Sequence, residues 1–135
     1  MVSHKETFSK PERLCSKKAM AGLFKNGESF FCFPFQVIWL ISPSEIPFPS
    51  QVAFSVTKKD FKIAIKRNLI KRRIKEAYRK NKNILYSFLN SRNLRIIFII
   101  IYKNNKIADY AFIEKSVKEI IAILISKLTD FQKKC

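Results

Sequence analysis

Apolar residues recur at helical spacing in three separate stretches of this chain. The pattern predicts a first helix over about residues 16–25, a long second helix over about 63–89 and a third over about 110–129. Polar residues interrupt the second pattern near 81–83, so a break in that helix is expected there. Three residues suited to helix ends stand at the boundaries of the first and third stretches: Ser16, Gly27 and Asp109.

Three other stretches are rich in aromatic and branched residues, and they predict strands over residues 30–41, 51–57 and 94–102. The first contains Pro34, which cannot donate a backbone hydrogen bond and therefore belongs at an edge, a bulge or the start of a strand. Residues 42–50 are polar and proline-rich, which indicates a loop. The last stretch is apolar throughout, as expected of a strand that is covered on both faces.

The strand at 51–57 alternates between two kinds of side chain. Val52, Phe54 and Val56 share one face, which is expected to join the core. The other face carries small or polar side chains, from Gln51, Ala53, Ser55 and Thr57. Small side chains leave room for a ligand to lie across that face.

The predicted elements follow the order α-β-β-α-β-α, with room for one further short strand. This order indicates an α/β (α+β) two-layer sandwich, in which about three helices cover a small mixed sheet. Residues 13–135 are expected to form a single domain, because no repeat or linker interrupts them. Residues 1–12 are polar and are expected to be a flexible N-terminal segment, with a short turn at most between Ser9 and Glu12.

Charge narrows the range of functions. The 135 residues carry a net charge of +17, far more than solubility requires, and 47% of them are hydrophobic, as a globular core needs. Self-repulsion of this size indicates a polyanionic partner, either nucleic acid or an anionic membrane surface. The longest apolar run, 96–102, is too short to cross a membrane, and the N-terminus has no secretory signal, so a cytoplasmic protein is expected.

Residues that could carry catalysis or hold a metal ion are sparse. The single histidine, His4, lies in the polar N-terminal segment, and Cys15, Cys32 and Cys135 are widely spaced with no CxxC pair. No phosphate-binding glycine loop and no hydrolase motif is present. We therefore expect no catalytic residue and no metal site in the protein itself, and we interpret the cysteines as reduced thiols.

The most unusual stretch is 58–82, which holds twelve Lys or Arg residues and only two acidic ones. Wound as a helix, it aligns four basic side chains at i, i+4 spacing. We call this set the basic ridge: Arg67, Lys71, Lys75 and Arg79. An apolar set falls on a separate face, which is expected to pack inward: Ile70, Ile74, Ala77, Tyr78, Ile84, Leu85 and Phe88.

A charged helix face is often no more than a solvated surface. The basic ridge, however, has a single sign, and like charges at i, i+4 destabilise a helix by a few tenths of a kcal/mol per pair. Binding to phosphates would offset that cost, and arginine would add forked hydrogen bonds. Asn68, beside the ridge, could contact phosphate, ribose or a base edge. The pattern therefore predicts a surface that binds nucleic acid.

At KRNLIKRRIKEAYR, residues 66–79, the sequence resembles the bacterial ribonuclease P protein component. The family's signature helix carries an Arg-Asn pair, then Lys-Arg, then further basic residues at helical spacing, and here these are Arg67-Asn68, Lys71-Arg72, Lys75 and Arg79. Upstream, AFSVTKKDFKIAIKRN resembles the family's strand that ends in a basic pair, here Lys58-Lys59. RLCSKKAMAGLFKNGESF, from Arg13, resembles the family's N-terminal segment, so the resemblance covers nearly the whole chain.

The chain departs from the family's pattern at three places. Lys75 stands where arginine is common, which keeps the charge but loses the forked geometry. Phe61-Lys62 precede the signature helix where Gly-Asn is often found. Met20 stands where the family commonly has an aromatic residue, whereas Phe24 matches the family.

The resemblance implies a protein subunit of ribonuclease P, the endoribonuclease that frees the mature 5′ end of tRNA. In that family the protein binds a large catalytic RNA and the 5′ leader of precursor tRNA, while the RNA carries out the hydrolysis with Mg²⁺. The resemblance also implies a left-handed strand–helix–strand crossover, against the usual rule. It implies no cofactor held by the protein and no obligate protein partner.

The basic stretch and the resemblance together assign roles to individual residues. Those predicted to bind RNA are Lys58, Lys59, Lys62, Lys66, Arg67, Asn68, Lys71, Arg72, Lys75 and Arg79. Those implied to line the cleft for the precursor-tRNA leader are Arg13, Met20, Phe24, Ala53 and Ser55.

Three other functions fit parts of the pattern. A structural ribosomal or general RNA-binding protein would have a similar basic helix, but it would bind mature and leader-bearing tRNA equally. A DNA-binding regulator would use the basic helix in the major groove, yet no helix-turn-helix pair is predicted. Binding to a membrane surface fits poorly, because the basic helix has a broad inward-packing face.

Overall fold

The computed structural model describes residues 8–133. Within that range three helices lie against one four-stranded mixed sheet, which confirms the predicted α+β fold with about three helices and a small mixed sheet. The helices are α1 (Lys17–Asn26), α2 (Ala64–Ser91) and α3 (Tyr110–Lys133), and a 3-10 turn, Lys10–Glu12, precedes α1. The strands are β1 (Glu28–Cys32), β2 (Phe35–Ile41), β3 (Ser50–Val56) and β4 (Ile96–Tyr102).

The sheet has the strand order β1-β2-β4-β3, so β1 and β3 form its two edges. β2 runs antiparallel to β1 and to β4, whereas β3 and β4 are parallel. Parallel neighbours require a crossover, and α2 supplies it between β3 and β4. The left-handed sense of that crossover stays a prediction. Every residue of β4 is buried, as its uninterrupted apolar sequence predicts.

The single strand predicted over 30–41 is wrong, because this segment forms a hairpin. β1 pairs with β2 from Glu28–Trp39 to Cys32–Phe35, and the turn between them is Phe33-Pro34, whose peptide bond is cis. Pro34 lies immediately before β2, where its missing N–H does not interrupt the strand pairing. β1 is thus the further short strand for which the predicted order left room. No Gly or Asn marked the turn, so the apolar run concealed it.

The helix α2 is continuous over 28 residues, so the predicted break near 81–83 is wrong. Asn81 stays within the helix and donates its side-chain amide to the carbonyl of Ala77 at 2.7 Å. Completely buried side chains on both sides of this position, including Tyr78 and Leu85, hold the helix against the core. Ile84 does not extend the packing face, because it is 65% exposed.

Two apolar clusters cover the two faces of the sheet. The larger lies between the sheet and helices α2 and α3, and it contains Ile70, Ile74, Ala77 and Tyr78, as predicted. Val52 and Val56 of β3 belong to it, with Phe54 packed against it. The smaller cluster lies on the opposite face, where Leu23 of α1 packs with residues of β2 and β4. The sheet is therefore sandwiched between helices on both sides, with α1 covering one face alone.

The three predicted helix-end residues act as expected. The hydroxyl of Ser16 accepts a hydrogen bond from the N–H of Ala19 at 3.2 Å, and the carboxylate of Asp109 accepts one from Phe112 at 2.9 Å. Gly27 follows the end of α1, and a Cβ there would lie 2.8 Å from a methyl group of Ile38. Glycine is therefore required at this position because α1 approaches β2 so closely.

A buried ion pair joins the N-terminal segment to α2. Glu12 and Lys82 are each only 2% exposed, and the ammonium group of Lys82 contacts a carboxylate oxygen of Glu12. The hydroxyl of Tyr86 donates to the same carboxylate at 2.7 Å, and Ser9 N–H donates to its other oxygen at 3.1 Å. The prediction that residues 1–12 are flexible is therefore wrong for residues 8–12, and residues 1–7 lie outside the described range.

The short turn predicted at Ser9 and Glu12 is confirmed, because these residues form a capping box around Lys10–Glu12. Burial by itself raises the pKa of Glu12, but the hydrogen bonds from Lys82 and Tyr86 outweigh it and hold that pKa below its ordinary value. The ionised carboxylate therefore stabilises the folded protein, and protonation removes that stabilisation.

We predict that Glu12→Gln lowers the free energy of unfolding by about 3 kcal/mol at neutral pH, because it removes the carboxylate charge that contacts the buried ammonium of Lys82. The difference from the unaltered protein should persist above the ordinary carboxyl pKa and shrink as the pH falls through the lowered pKa of Glu12. Urea unfolding at a series of pH values measures it. Glu12→Gln combined with Lys82→Met is the control and should regain part of the loss, whereas a pH-independent difference would contradict the role of the charge.

Candidate nucleic-acid interface

The centre of the basic ridge lies beside the N-terminal segment rather than apart from it. Lys71 and Lys75 line a cavity of about 240 Å³ together with Arg13 and Ala53. The other lining residues are Phe8, Leu14, Cys15, Val52 and Phe54. Three cationic side chains thus surround an apolar floor formed by the edge of β3. Two residues predicted for the cleft and two from the basic ridge share one site.

The backbone explains why Arg13 reaches this site. Leu14 N–H donates to the carbonyl of Val52 at 3.0 Å, so residues 13–14 pair with the outer edge of β3 in parallel. The buried contact of Glu12 with Lys82 holds the chain immediately before this pairing. Arg13 is therefore held between the last turn of the N-terminal segment and the flank of α2.

The two ends of the basic ridge already have partners inside the protein. The guanidinium of Arg67 donates to the carbonyls of Phe61 and Lys62, at 2.7 and 3.0 Å, and so ties the preceding loop to the first turn of α2. The guanidinium of Arg79 forms a forked pair with Glu76, at 2.7 and 2.9 Å. The hydrogen bond from Arg79 lowers the pKa of Glu76. Sequence spacing alone could not separate these two arginines from the central lysines.

The other residues predicted to bind RNA are exposed at the start of α2 and in the turn before it. Arg72 and Asn68 lie on the exposed side of the helix, and neither is among its buried residues. The exposed lysines of the same region are Lys58, Lys59, Lys62 and Lys66. Together with the cavity, they form a basic surface that extends from the end of β3 along α2.

The predicted cleft residues on α1 and β3 divide into two groups. Ala53 and Met20 pack against the smaller apolar cluster, on the face of the sheet that α1 covers. Ser55 lies two residues beyond Ala53 on the same face of β3 and is half-buried. Phe24 is 54% exposed on α1, and it is absent from the described residues that line the cavity. The structure thus brings Arg13 and Ala53 to the cavity, whereas Met20 and Ser55 are not among the described residues that line it.

Several residues of the site were not predicted. Phe8 forms one wall of the cavity and packs its ring against those of Phe54 and Tyr78, at centroid distances of 5.7 and 5.9 Å. It was one apolar residue in a polar segment, and that isolated position was the only available signal.

Arg73 donates to the carbonyl of Ala108 at 2.6 Å, and so ties α2 to the loop before α3.

The described part of the chain provides groups for binding but no cluster of metal ligands. Among residues 8–133, no three His, Cys, Asp or Glu side chains lie together in an arrangement that could hold a metal ion. None of the helices in that range is long and apolar enough to cross a membrane. His4 lies outside the described residues. The arrangement is suited to hold a polyanion with stacked or apolar parts, since cationic side chains surround an apolar floor.

Comparison with known sequences agrees with this description. Residues 8–124 match the protein family described as Ribonuclease P. The ribonuclease P protein component of Porphyromonas gingivalis is 30% identical over 111 residues, which cover 82% of this chain and 81% of that protein. That of Petrotoga mobilis is 31% identical over 121 residues, covering 86% and 93%.

Solved structures of similar fold come from the same family. The RNase P protein of Staphylococcus aureus matches with a TM-score of 0.66 at 24% identity, over 84% of this chain and 94% of that one. The protein from Thermotoga maritima matches with a TM-score of 0.64 at 20% identity, over 82% and 94%. These two likenesses show the fold, and the sequence matches show the family. The chain therefore belongs to the ribonuclease P protein component family, the protein part of a ribonucleoprotein endoribonuclease.

Proposed function

We propose that this protein binds the catalytic RNA of ribonuclease P through the exposed basic residues of α2, and the 5′ leader of precursor tRNA in the cavity beside β3. The observation that carries this proposal is the meeting of Arg13, Lys71 and Lys75 at one cavity along the edge of β3. A single RNA strand offers phosphates to the cations and flat bases to the apolar floor.

The two surfaces make different demands on an RNA. The exposed group around Asn68 and Arg72 has room for the phosphates of a folded RNA on the outside of α2. The cavity is narrower and is bounded by the N-terminal segment, so it suits an unpaired strand better than a duplex. This division assigns the catalytic RNA to the helix and the leader to the cavity.

The chemistry of cleavage belongs, in this proposal, to the RNA and to Mg²⁺ held by it. The cluster of Arg13, Lys71 and Lys75 consists of cations, and such side chains repel Mg²⁺ rather than ligate it. What this chain's residues contribute is binding: they neutralise phosphates and hold the leader in register with the catalytic RNA. The protein would therefore lower the Mg²⁺ concentration that cleavage requires.

A structural or general RNA-binding protein is the second candidate, since the exposed basic face of α2 would serve either function. The cavity favours the first, because a protein that binds only folded RNA needs no separate concave site for an unpaired strand. Equal affinity for mature and leader-bearing tRNA would support the second candidate.

The direct test is cleavage of precursor tRNA by a cognate catalytic RNA at low Mg²⁺, with and without this protein. We expect the protein to raise the cleavage rate strongly at low Mg²⁺ and only weakly at high Mg²⁺, where the ions alone screen the phosphates. The absence of any stimulation at low Mg²⁺ would contradict the proposed function.

Binding to the catalytic RNA should depend steeply on salt. If about six phosphates are neutralised, affinity should fall by roughly 10³-fold between about 50 and 200 mM salt, because counterions are released on binding. Filter binding or fluorescence titration at several salt concentrations measures this slope. An affinity that hardly changes with salt would rule out phosphate binding as the main interaction.

Arg67 and Arg72 provide a matched pair of substitutions on one helix. Arg72→Ala should weaken RNA binding and leave stability nearly unchanged, because Arg72 is exposed. Arg67→Ala should also lower the free energy of unfolding, by about 1 kcal/mol or more, since it removes two hydrogen bonds to the carbonyls of Phe61 and Lys62. Urea unfolding and RNA titration of both variants separate the two roles. A loss of stability in Arg72→Ala would make that residue structural.

A further inference from the structure

A cluster of exposed phenylalanines lies at the edge of the sheet opposite the cavity. Phe31 is 59% exposed, Phe33 56% and Phe112 40%. Their rings are in contact, with centroids 6.3 Å apart between Phe31 and Phe33 and 6.2 Å between Phe33 and Phe112. We call these three residues the phenylalanine cluster. Adjacent exposed aromatic rings in so highly charged a chain mark a candidate contact surface.

The backbone beneath the cluster is firmly held. The hydroxyl of Ser116 on α3 donates to the carbonyl of Phe33 at 3.2 Å. The N–H of Lys103 donates to the carbonyl of Pro34 at 2.7 Å, which joins the β1–β2 turn to the end of β4. The rings are thus presented from a turn bonded on two sides, which lowers the entropic cost of binding a partner.

The register of the sheet connects this cluster to the proposed leader site. Ser55 pairs with Ile101, Ile101 with Gln36, and Gln36 with Phe31. Directly paired residues point to the same face, so Phe31 shares a face with Ser55 and Ala53. Four strands span roughly 14 Å between β3 and β1. A strand of about four nucleotides at stacked spacing would cover that distance.

Four lysines lie near the phenylalanine cluster or at the same end of the sheet, where the phosphates of a bound RNA strand would pass. Lys58 and Lys59 follow β3, and Lys103 follows β4, so all three lie at the end of the sheet where the β1–β2 turn also lies. Lys115 is three residues after Phe112 on α3. All four lysines are exposed. Aromatic rings with exposed lysines at the same end of the sheet fit single-stranded RNA, which stacks its bases on rings and places its phosphates on cations.

We propose that the phenylalanine cluster stacks the unpaired bases of the leader beyond the portion that lies in the cavity. This inference rests on the proposed function, since it extends the path of the same RNA strand from Ser55 across the sheet to Phe31. Phe31 and Phe33 form the stacking surface, and Phe112 supports Phe33 from α3. The protein thereby favours precursors whose leaders are long enough to reach β1.

The test uses the complex of this protein with a cognate catalytic RNA and measures its affinity for two precursor tRNAs. One has a short leader that would end over Ser55, and the other has a longer leader that would extend past Phe31. Phe31→Leu keeps an apolar side chain but removes the ring. It should weaken binding of the long-leader precursor by about five-fold or more, as expected for the loss of one stacked base, and leave the short-leader precursor unchanged. Phe31→Tyr keeps the ring and should retain the preference for the long leader.

Phe131→Leu is the matched control, because it removes another exposed ring at the far end of β1, beside Glu28. It should leave the binding of both precursors unchanged. Circular dichroism of each variant checks that the fold is intact. Equal effects of Phe31→Leu on both precursors, or no effect on either, would overturn the inference.

A variant in which both Lys71 and Lys75 are replaced by alanine shows whether a negative result contradicts the inference or the proposed function on which it rests. If the leader lies in the cavity, this variant should weaken binding of both precursors relative to mature tRNA. If it weakens neither, the proposed function fails, whatever the Phe31 variants do. If Phe31→Leu abolishes self-association of the protein, measured by sedimentation, while the affinity for the long leader is unchanged, the cluster contacts a second copy of the chain and the inference is wrong.

Discussion

The contact between Glu12 and Lys82 shapes the side of this protein that we propose to bind RNA. Both charges are almost completely buried, and their contact offsets the large desolvation cost of burying them. The pair fixes the N-terminal segment against α2, and the next two residues then reach the edge of β3. The ion pair and this pairing together place Arg13 beside Lys71 and Lys75 at the cavity.

The helix α2 contributes both to the core and to the proposed RNA-binding surface. Its inward face, which includes Ile70, Ile74 and Tyr78, is completely buried, and this packing offsets the repulsion among the cations on the outside. Repulsion is also reduced locally, because Arg79 pairs with Glu76. The central lysines of the ridge remain to face the cavity. One helix can therefore carry a concentrated positive charge without losing its place in the fold.

The spacing of apolar and polar residues along the chain predicted the features that depend on neighbouring residues. These are the three helices, the faces of α2 and β3, and the capping roles of Ser16 and Asp109. It failed where distant residues decide the outcome. Glu12 and Lys82 are 70 positions apart, and no periodicity links them. The hairpin between β1 and β2 was concealed because its turn, Phe33-Pro34, is as apolar as its strands. The family resemblance predicted the site residues, whereas their division between internal contacts and the cavity required the structure.

The most direct test of the account is to map where the leader touches the protein. A photoreactive nucleotide placed in the leader close to the cleavage site, in the complex with catalytic RNA, should cross-link to the cavity residues between Arg13 and β3, and to α2 near Lys71 and Lys75. Mature tRNA carrying the same group at its 5′ end should give little of this product. Cross-links confined to other surfaces, with the cavity residues unmodified, would contradict the central claim that this cavity holds the leader.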